Sequence, residues 1–202
     1  MFMNLLSLKK SIKGIDIYIL DQILKDRYQP GAKILDVGCG NGRNLKWFYQ
    51  PDYEIYGIDT NIERLNTCKE LYALQKENFM VSNVEEMPYE SNYFDHIICI
   101  AVLHFAEDLN QYLKMFEELV RVLKPQGSLL IRTASNFGIE NQIELIENGI
   151  YKLLDGTNRF LLDTKILHRI QEMKGIKMIE DVKTTIVHHK RAMTTLVIKK
   201  EG

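Results

Sequence analysis

The chain of 202 residues has few cysteines, few prolines and no excess of charge of either sign. Its three cysteines, Cys39, Cys68 and Cys99, form no CxxC pair and lie far apart. Neither a zinc site nor a disulfide framework can be read from them, and reduced thiols are the expectation. Lys and Arg total 26 against 27 Asp and Glu, a net charge of -1. A protein that grips nucleic acid mainly through its phosphates carries a marked cationic excess, so nucleic acid is not the expected partner. No apolar run approaches the roughly 20 residues that span a bilayer. The N-terminal run Phe2, Leu5, Leu6 and Leu8 is cut by Lys9 and Lys10, too soon for a secretion signal. A cytoplasmic setting without a membrane partner is expected. No repeat or low-complexity tract is visible, and the length suits one domain over 1–202.

Hydrophobic periodicity orders the chain. Residues 15–25 read as an amphipathic helix ended by Pro30 and Gly31, within an N-terminal helical segment 1–30. Strand-like runs follow at 33–37, 54–58, 79–81, 94–101 and 128–132, with helices from about Arg43, over 62–74 and over 109–123 between them. The run 94–101, FDHIICIA, is nearly all apolar, as for a strand buried on both faces. This alternation predicts a parallel sheet with helices on both faces. After a last helix over 164–173 come two strand-like runs, 177–187 and 193–199, with no helix between them, so they must pair antiparallel. The fold class is therefore α/β: a doubly wound, mostly parallel sheet, ending in an antiparallel hairpin. Residues 134–162 fit neither period and read as an insertion over one edge. Its apolar residues, among them Ile143, Ile146, Tyr151 and Leu153, suggest a short helix with a mobile turn at Asp155-Gly156 that covers the substrate.

The densest motif is 34–44, ILDVGCGNGRN, between a strand and a helix. Gly38, Gly40 and Gly42 let the backbone turn sharply and approach a ligand. Dinucleotide enzymes space such glycines as GxGxxG to meet a pyrophosphate. Here the spacing is GxGxG, and Asp36 precedes it. A carboxylate there repels a pyrophosphate and suits an ammonium or sulfonium charge. Asp59 ends the second strand about twenty residues later, where doubly wound sheets bind a ribose diol, although it could instead cap the next helix.

Asp36–Gly42, Asp59, SNVEEMPY (82–89), FDHIICIAVLHF (94–105) and LKPQGSLLI (123–131) resemble, in order and spacing, the class I S-adenosylmethionine (SAM)-dependent methyltransferases. The resemblance implies a seven-stranded Rossmann-like sheet, SAM as cofactor with S-adenosylhomocysteine as product, and no metal. Carried over by position, Asp36, Gly38, Cys39, Gly40 and Gly42 would hold the methionine end. Asp59 and Thr60 would meet the ribose, Asn83 and Val84 the adenine, and Ala101 would lie beside the methionine amine. Asn83 stands where the family often has Asp, and its carbonyl can still accept a hydrogen bond. Pro125-Gln126-Gly127 replaces the usual Pro-Gly-Gly. The GNGRN loop and the strand ending 191–200 also bear some likeness to small tellurite-detoxifying methyltransferases.

The acceptor is approached by exclusion. No Asn/Asp-Pro-Pro-aromatic follows strand four, no cysteine adjoins a proline as a pyrimidine nucleophile would, and no carboxylate ends strand four for a magnesium ion. His104, just past that strand, is the candidate general base, with packing or orientation as the alternative. Arg132, Asn136 and Arg159 flank the insertion and are candidate substrate contacts. His188 joins them in a cationic hairpin loop with His189, Lys190 and Arg191 that could receive an anion or simply be solvated. Arg43 could orient the cofactor carboxylate or lie at the surface. The expectation is a methyltransferase acting on a small molecule. The alternatives are an RNA or protein methyltransferase and a non-catalytic SAM-binding protein.

Overall fold

The computed structural model describes residues 5–202. The first four residues of the expected N-terminal segment, Phe2 included, lie outside the described residues. Helix α1 (Leu5–Ile12) buries none of its residues, whereas α2 (Ile17–Leu24) is capped by Asp16 and buries Ile19 and Gln22. The sheet then begins with β1 (Lys33–Val37), β2 (Glu54–Asp59), β3 (Phe79–Val81), β4 (Phe94–Ile100) and β5 (Leu123–Ser135). Helices α3 (Ile62–Leu71) and α4 (Leu109–Val122) make two of the crossovers. After the insertion come α5 (Thr164–Gln171), β9 (Ile176–Met178), β10 (Lys183–Val187) and β11 (Arg191–Lys200).

The spatial order is β3-β2-β1-β4-β5-β11-β10, with β9 also on β11. Pairs among β1 to β5 are parallel, and β11 runs antiparallel to β5, β9 and β10. Eight strands thus occupy seven positions, because β9 and β10 share one edge of β11. The apolar runs read from the sequence follow from this geometry. In β4, Ile97 and Cys99 join the core under α4 and α5, while Ile98 and Ile100 join the opposite core with Ile19 and Leu65. Side chains alternate across a strand, so only a strand covered on both faces needs both sets apolar.

Three local readings are corrected. The helix expected from Arg43 is only a 3-10 turn, Arg43–Leu45. Asn44 is buried there and its side chain accepts from the Asp16 N–H at 3.2 Å, and Pro51 lies too close to allow several α-turns. The single strand expected over 177–187 is broken between β9 and β10. Glu180 turns in at the break to gather Gln22, Lys25, Arg27 and Lys183. Burial opposes its ionisation, yet Lys183, Lys25 and Gln22 hold its carboxyl down at about 2. The insertion holds no α-helix either, only a 3-10 turn at Glu140–Gln142. It forms a separate antiparallel sheet of β6 (Glu144–Glu147), β7 (Ile150–Lys152) and β8 (Asn158–Phe160).

That small sheet is tied down at one end. Phe160 is buried and stacks on Tyr112 at 5.1 Å, and Leu153, Leu161 and Ile139 form a satellite core with Ala134 and Ala192. Its outer strand β6 is exposed throughout. Among the described residues no helix is long and apolar enough to cross a membrane.

Candidate active site

Parallel strands β1, β2 and β4 bring their carboxyl ends to one side of the sheet, and the sequence places a tight turn after β1 and another after β4. The first is the glycine loop. Gly38, Gly40 and Gly42 all have positive φ, at 67°, 54° and 73°. Added side chains would meet different fates. A Cβ on Gly38 would strike Val102 Cγ2, and one on Gly42 would strike the Tyr72 ring and the Cys68 sulfur. At Gly40 it would meet nothing within 4 Å. Gly38 and Gly42 therefore fit the protein against itself, while Gly40 borders open space.

Asp59 fastens this loop to β2. Its Oδ2 accepts from the Gly40 N–H at 2.8 Å and its Oδ1 from the Asn61 N–H at 2.9 Å. The cap of α3 is Asn61, which accepts from the Arg64 N–H at 3.0 Å, so the helix does not need Asp59 as its cap. Cys39 is buried, with its N–H on the Ile58 carbonyl and its sulfur 3.9 Å from Cys68. Arg43 turns away from the loop and donates to the Gly14 carbonyl at 2.8 Å.

A cleft of about 450 Å3 opens beside the loop. Gly38, Asp59, Thr60, Asn83, Val84 and Ala101 line it. Asp36, Cys39, Gly40 and Gly42 are not part of that lining. Sequence reasoning missed Ser82, Glu85 and Gln111, which add polar groups to the wall, as well as Met115 and the exposed Phe105. The apolar run AVLHF continuing past the end of β4 was the one signal available for Phe105.

Asp36 is fully buried and its Oδ2 has no hydrogen-bond partner among the described residues. Burial pushes its carboxyl up to about 7, with Asp59 adding to the rise and Arg43 and Asn44 opposing it. An orphaned buried carboxylate oxygen, an open cradle at Gly40 and a strand-end carboxylate at Asp59 are the features that a cationic ribonucleoside would occupy. The residues present fit SAM.

The second turn follows β4. Ala101 has φ 61°, a left-handed conformation that costs a residue with a Cβ roughly 1 kcal/mol or more. Its N–H is held by the Arg132 carbonyl at 2.8 Å. Beyond it lies a second cleft of about 350 Å3, and Ala101 and Phe105 belong to the walls of both. Of the expected substrate residues, Arg132 and Arg159 border this second cleft, joined by Arg191. Asn136 and His188 do not line it. Asn136 donates its N–H to the Leu162 carbonyl. His188 and His189 form the hairpin tip with φ of 48° and 55°, closed by Lys190 N–H on the Val187 carbonyl. These are the left-handed central positions of a tight hairpin turn.

His104 is buried on the edge of the second cleft, and its Nδ1 accepts from the Ala134 N–H at 3.2 Å. Burial, helped by the charge of Arg159, lowers its pKa to about 4. The ring is thus neutral near pH 7, with the proton on Nε2.

Comparison with known proteins agrees with this geometry. The methyltransferase domain family model matches residues 35–131. A tRNA (carboxymethyluridine(34)-5-O)-methyltransferase of Arabidopsis thaliana is 37% identical over 101 residues, which are 50% of this chain and 24% of that protein. A ubiquinone biosynthesis O-methyltransferase of Rickettsia bellii is 28% identical over 184 residues, 81% of this chain and 74% of the relative. Several other relatives are matched over less than half of their own length. A solved SAM-dependent methyltransferase from Methanosarcina mazei superposes with a TM-score of 0.73 at 20% identity, covering 89% of this chain and 97% of that one.

Two binding results are expected. Gly40→Val should abolish SAM binding with the circular dichroism spectrum retained, since the new side chain enters ligand space at an already strained φ; loss of the spectrum would make the glycine structural. In the free protein, ionising Asp36 opposes folding as pH rises from its ordinary 3.8 through about 7. A cationic ligand favours the ionised form. SAM affinity should therefore increase as pH rises toward about 7 and level off above it, with proton release below that value seen by calorimetry in buffers of different ionisation enthalpy, and Asp36→Asn should flatten the slope.

From the glycine loop to the terminal hairpin, the chain has the fold of the class I SAM-dependent methyltransferases, and its residues 35–131 match the methyltransferase domain family model.

Proposed function

We propose that the protein transfers a methyl group from SAM to a small molecule seated in the second cleft. The observation that carries this reading is the shared wall: Ala101 and Phe105 border the cofactor cleft on one side and the second cleft on the other. A molecule in each would meet at that wall. When bound, SAM supplies a methyl group already activated by its sulfonium, so the protein's task is alignment and exclusion of water.

In this reading Asp59 accepts from the ribose hydroxyls, Asn83 and Val84 meet the adenine, and Gly38 and Gly40 admit the methionine end beside Asp36. Thr60 completes the ribose side. The insertion covers the acceptor through Leu153, Asp155 and Thr157, which border the second cleft. His104 takes a different part from the general base expected of it. Its Nδ1 is engaged by a backbone N–H, so its free nitrogen already carries a proton. It orients the acceptor as a neutral Nε2–H donor, and the acceptor supplies its own lone pair.

An acceptor of modest size suits a second cleft of about 350 Å3 and a chain with net charge of -1. The 37% identity to a tRNA-directed enzyme is confined to half of this chain.

Incubation with methyl-labelled SAM and fractionated cell extract should place label in the small-molecule fraction. Label in RNA or protein would replace the acceptor class, and tight SAM binding with no transfer to any fraction would replace the enzyme by a SAM-binding protein. With the labelled acceptor in hand, His104→Ala should slow transfer by the same factor, roughly 10- to 100-fold for a lost hydrogen-bond donor, across pH 5 to 8. An inflection near the ordinary histidine value of about 6.5 that disappears in the variant would restore the base.

A further inference from the structure

Resting on that reading, we propose that the acceptor is a small carboxylate with an apolar body, its carboxylate taken by Arg159 and Arg191. Three arginines from separate elements border the second cleft: Arg132 on β5, Arg159 on β8 and Arg191 at the start of β11. They are not equivalent. Arg132 is already paired, with Asp16 at 3.1 Å and the Tyr18 ring 5.3 Å from its guanidinium carbon. Neither Arg159 nor Arg191 has a carboxylate within 4.0 Å among the described residues.

The one carboxylate in that wall is Asp155. It is engaged locally, accepting from the Thr157 N–H at 3.1 Å and its hydroxyl at 2.6 Å. Two unpaired guanidiniums against one carboxylate leave a single positive charge, which matches a monoanion. The orientation of Arg159 is also set in advance. Its guanidinium lies over the Phe105 ring, 4.8 Å from the centroid, and donates to the Asn158 carbonyl at 2.6 Å. These two contacts hold the guanidinium in place, and its planar fork is the geometry that takes both oxygens of a carboxylate. Phe105 is the wall shared with the cofactor cleft, so an anion held over it lies close to where the two clefts meet.

The rest of the lining sets the body of the acceptor. Leu153, Val187, Met193 and Ala134 are apolar, and His104 is neutral, so nothing there repays the desolvation of a second charge. The cationic loop read from the sequence thus contributes through Arg191, and the histidines at its tip take no part.

The test uses paired probes, benzoate with benzamide and hexanoate with hexanamide, titrated into the full chain with and without saturating S-adenosylhomocysteine and followed by NMR. The acids should bind at least roughly tenfold more tightly than their amides. In the double variant Arg159→Gln, Arg191→Gln this preference should disappear, while S-adenosylhomocysteine affinity and thermal midpoint stay as in the wild type. Equal binding of acid and amide by the wild type, or an unchanged preference in the variant, would overturn the proposal. So would tRNA binding that depends on the same two arginines and excludes the acids. Failure of the wild type to bind S-adenosylhomocysteine would instead strike the methyl-transfer reading, and the acid preference measured without it would still decide the anion site.

Discussion

The backbone turn at Ala101 is the constraint on which the site depends. A parallel sheet delivers its strand ends to one side, but β4 must then leave that side without filling the space above it. Ala101 does this in a left-handed conformation, anchored by its N–H to the Arg132 carbonyl of the neighbouring strand. The turn sends Val102 over Gly38, where no Cβ would fit, and carries Phe105 out between the clefts. Without that anchor the glycine loop loses its neighbour and the clefts lose their common wall. Strain is tolerated because the buried pairing of β4 with β5 holds the residues leading into the turn, up to Ile100.

A second dependence runs through Asp59. Its two oxygens tie the glycine loop and the entry to α3 to the end of β2, so the carboxylate offered to a ligand is itself oriented by backbone N–H groups. Asp36 is the contrast: it is buried by the same loop, is pushed up to about 7, and keeps one oxygen unpartnered. One carboxylate is preorganised and the other is held uncomfortable. A cation arriving beside Asp36 would relieve it.

How much of this was legible beforehand follows from the range of the forces involved. The alternation of strands and helices was readable because burial on both faces forces unbroken apolar runs such as FDHIICIA. The GxGxG loop and Asp59 were readable because positive φ and a strand-end carboxylate are local demands. The insertion was misread as a helix: its apolar residues satisfy no strict period, and its strands are three or four residues long, fixed by Phe160 packing on Tyr112 far away in sequence. The interruption between β9 and β10 depends on Glu180 meeting Gln22 and Lys25, again a long-range contact. Arg159 and Arg191 share a cleft through the fold alone, and His104's tautomer is set by a strand thirty residues on.

The central claim is that cofactor and acceptor occupy separate clefts joined at Ala101 and Phe105. Hydrogen exchange with S-adenosylhomocysteine alone tests it most directly. The account predicts new protection in residues 38–42, 59–61, 82–85 and 101–105, with residues 144–160 exchanging as in the free protein. Protection centred on 144–160, with 59–61 and 82–85 unchanged, would contradict it.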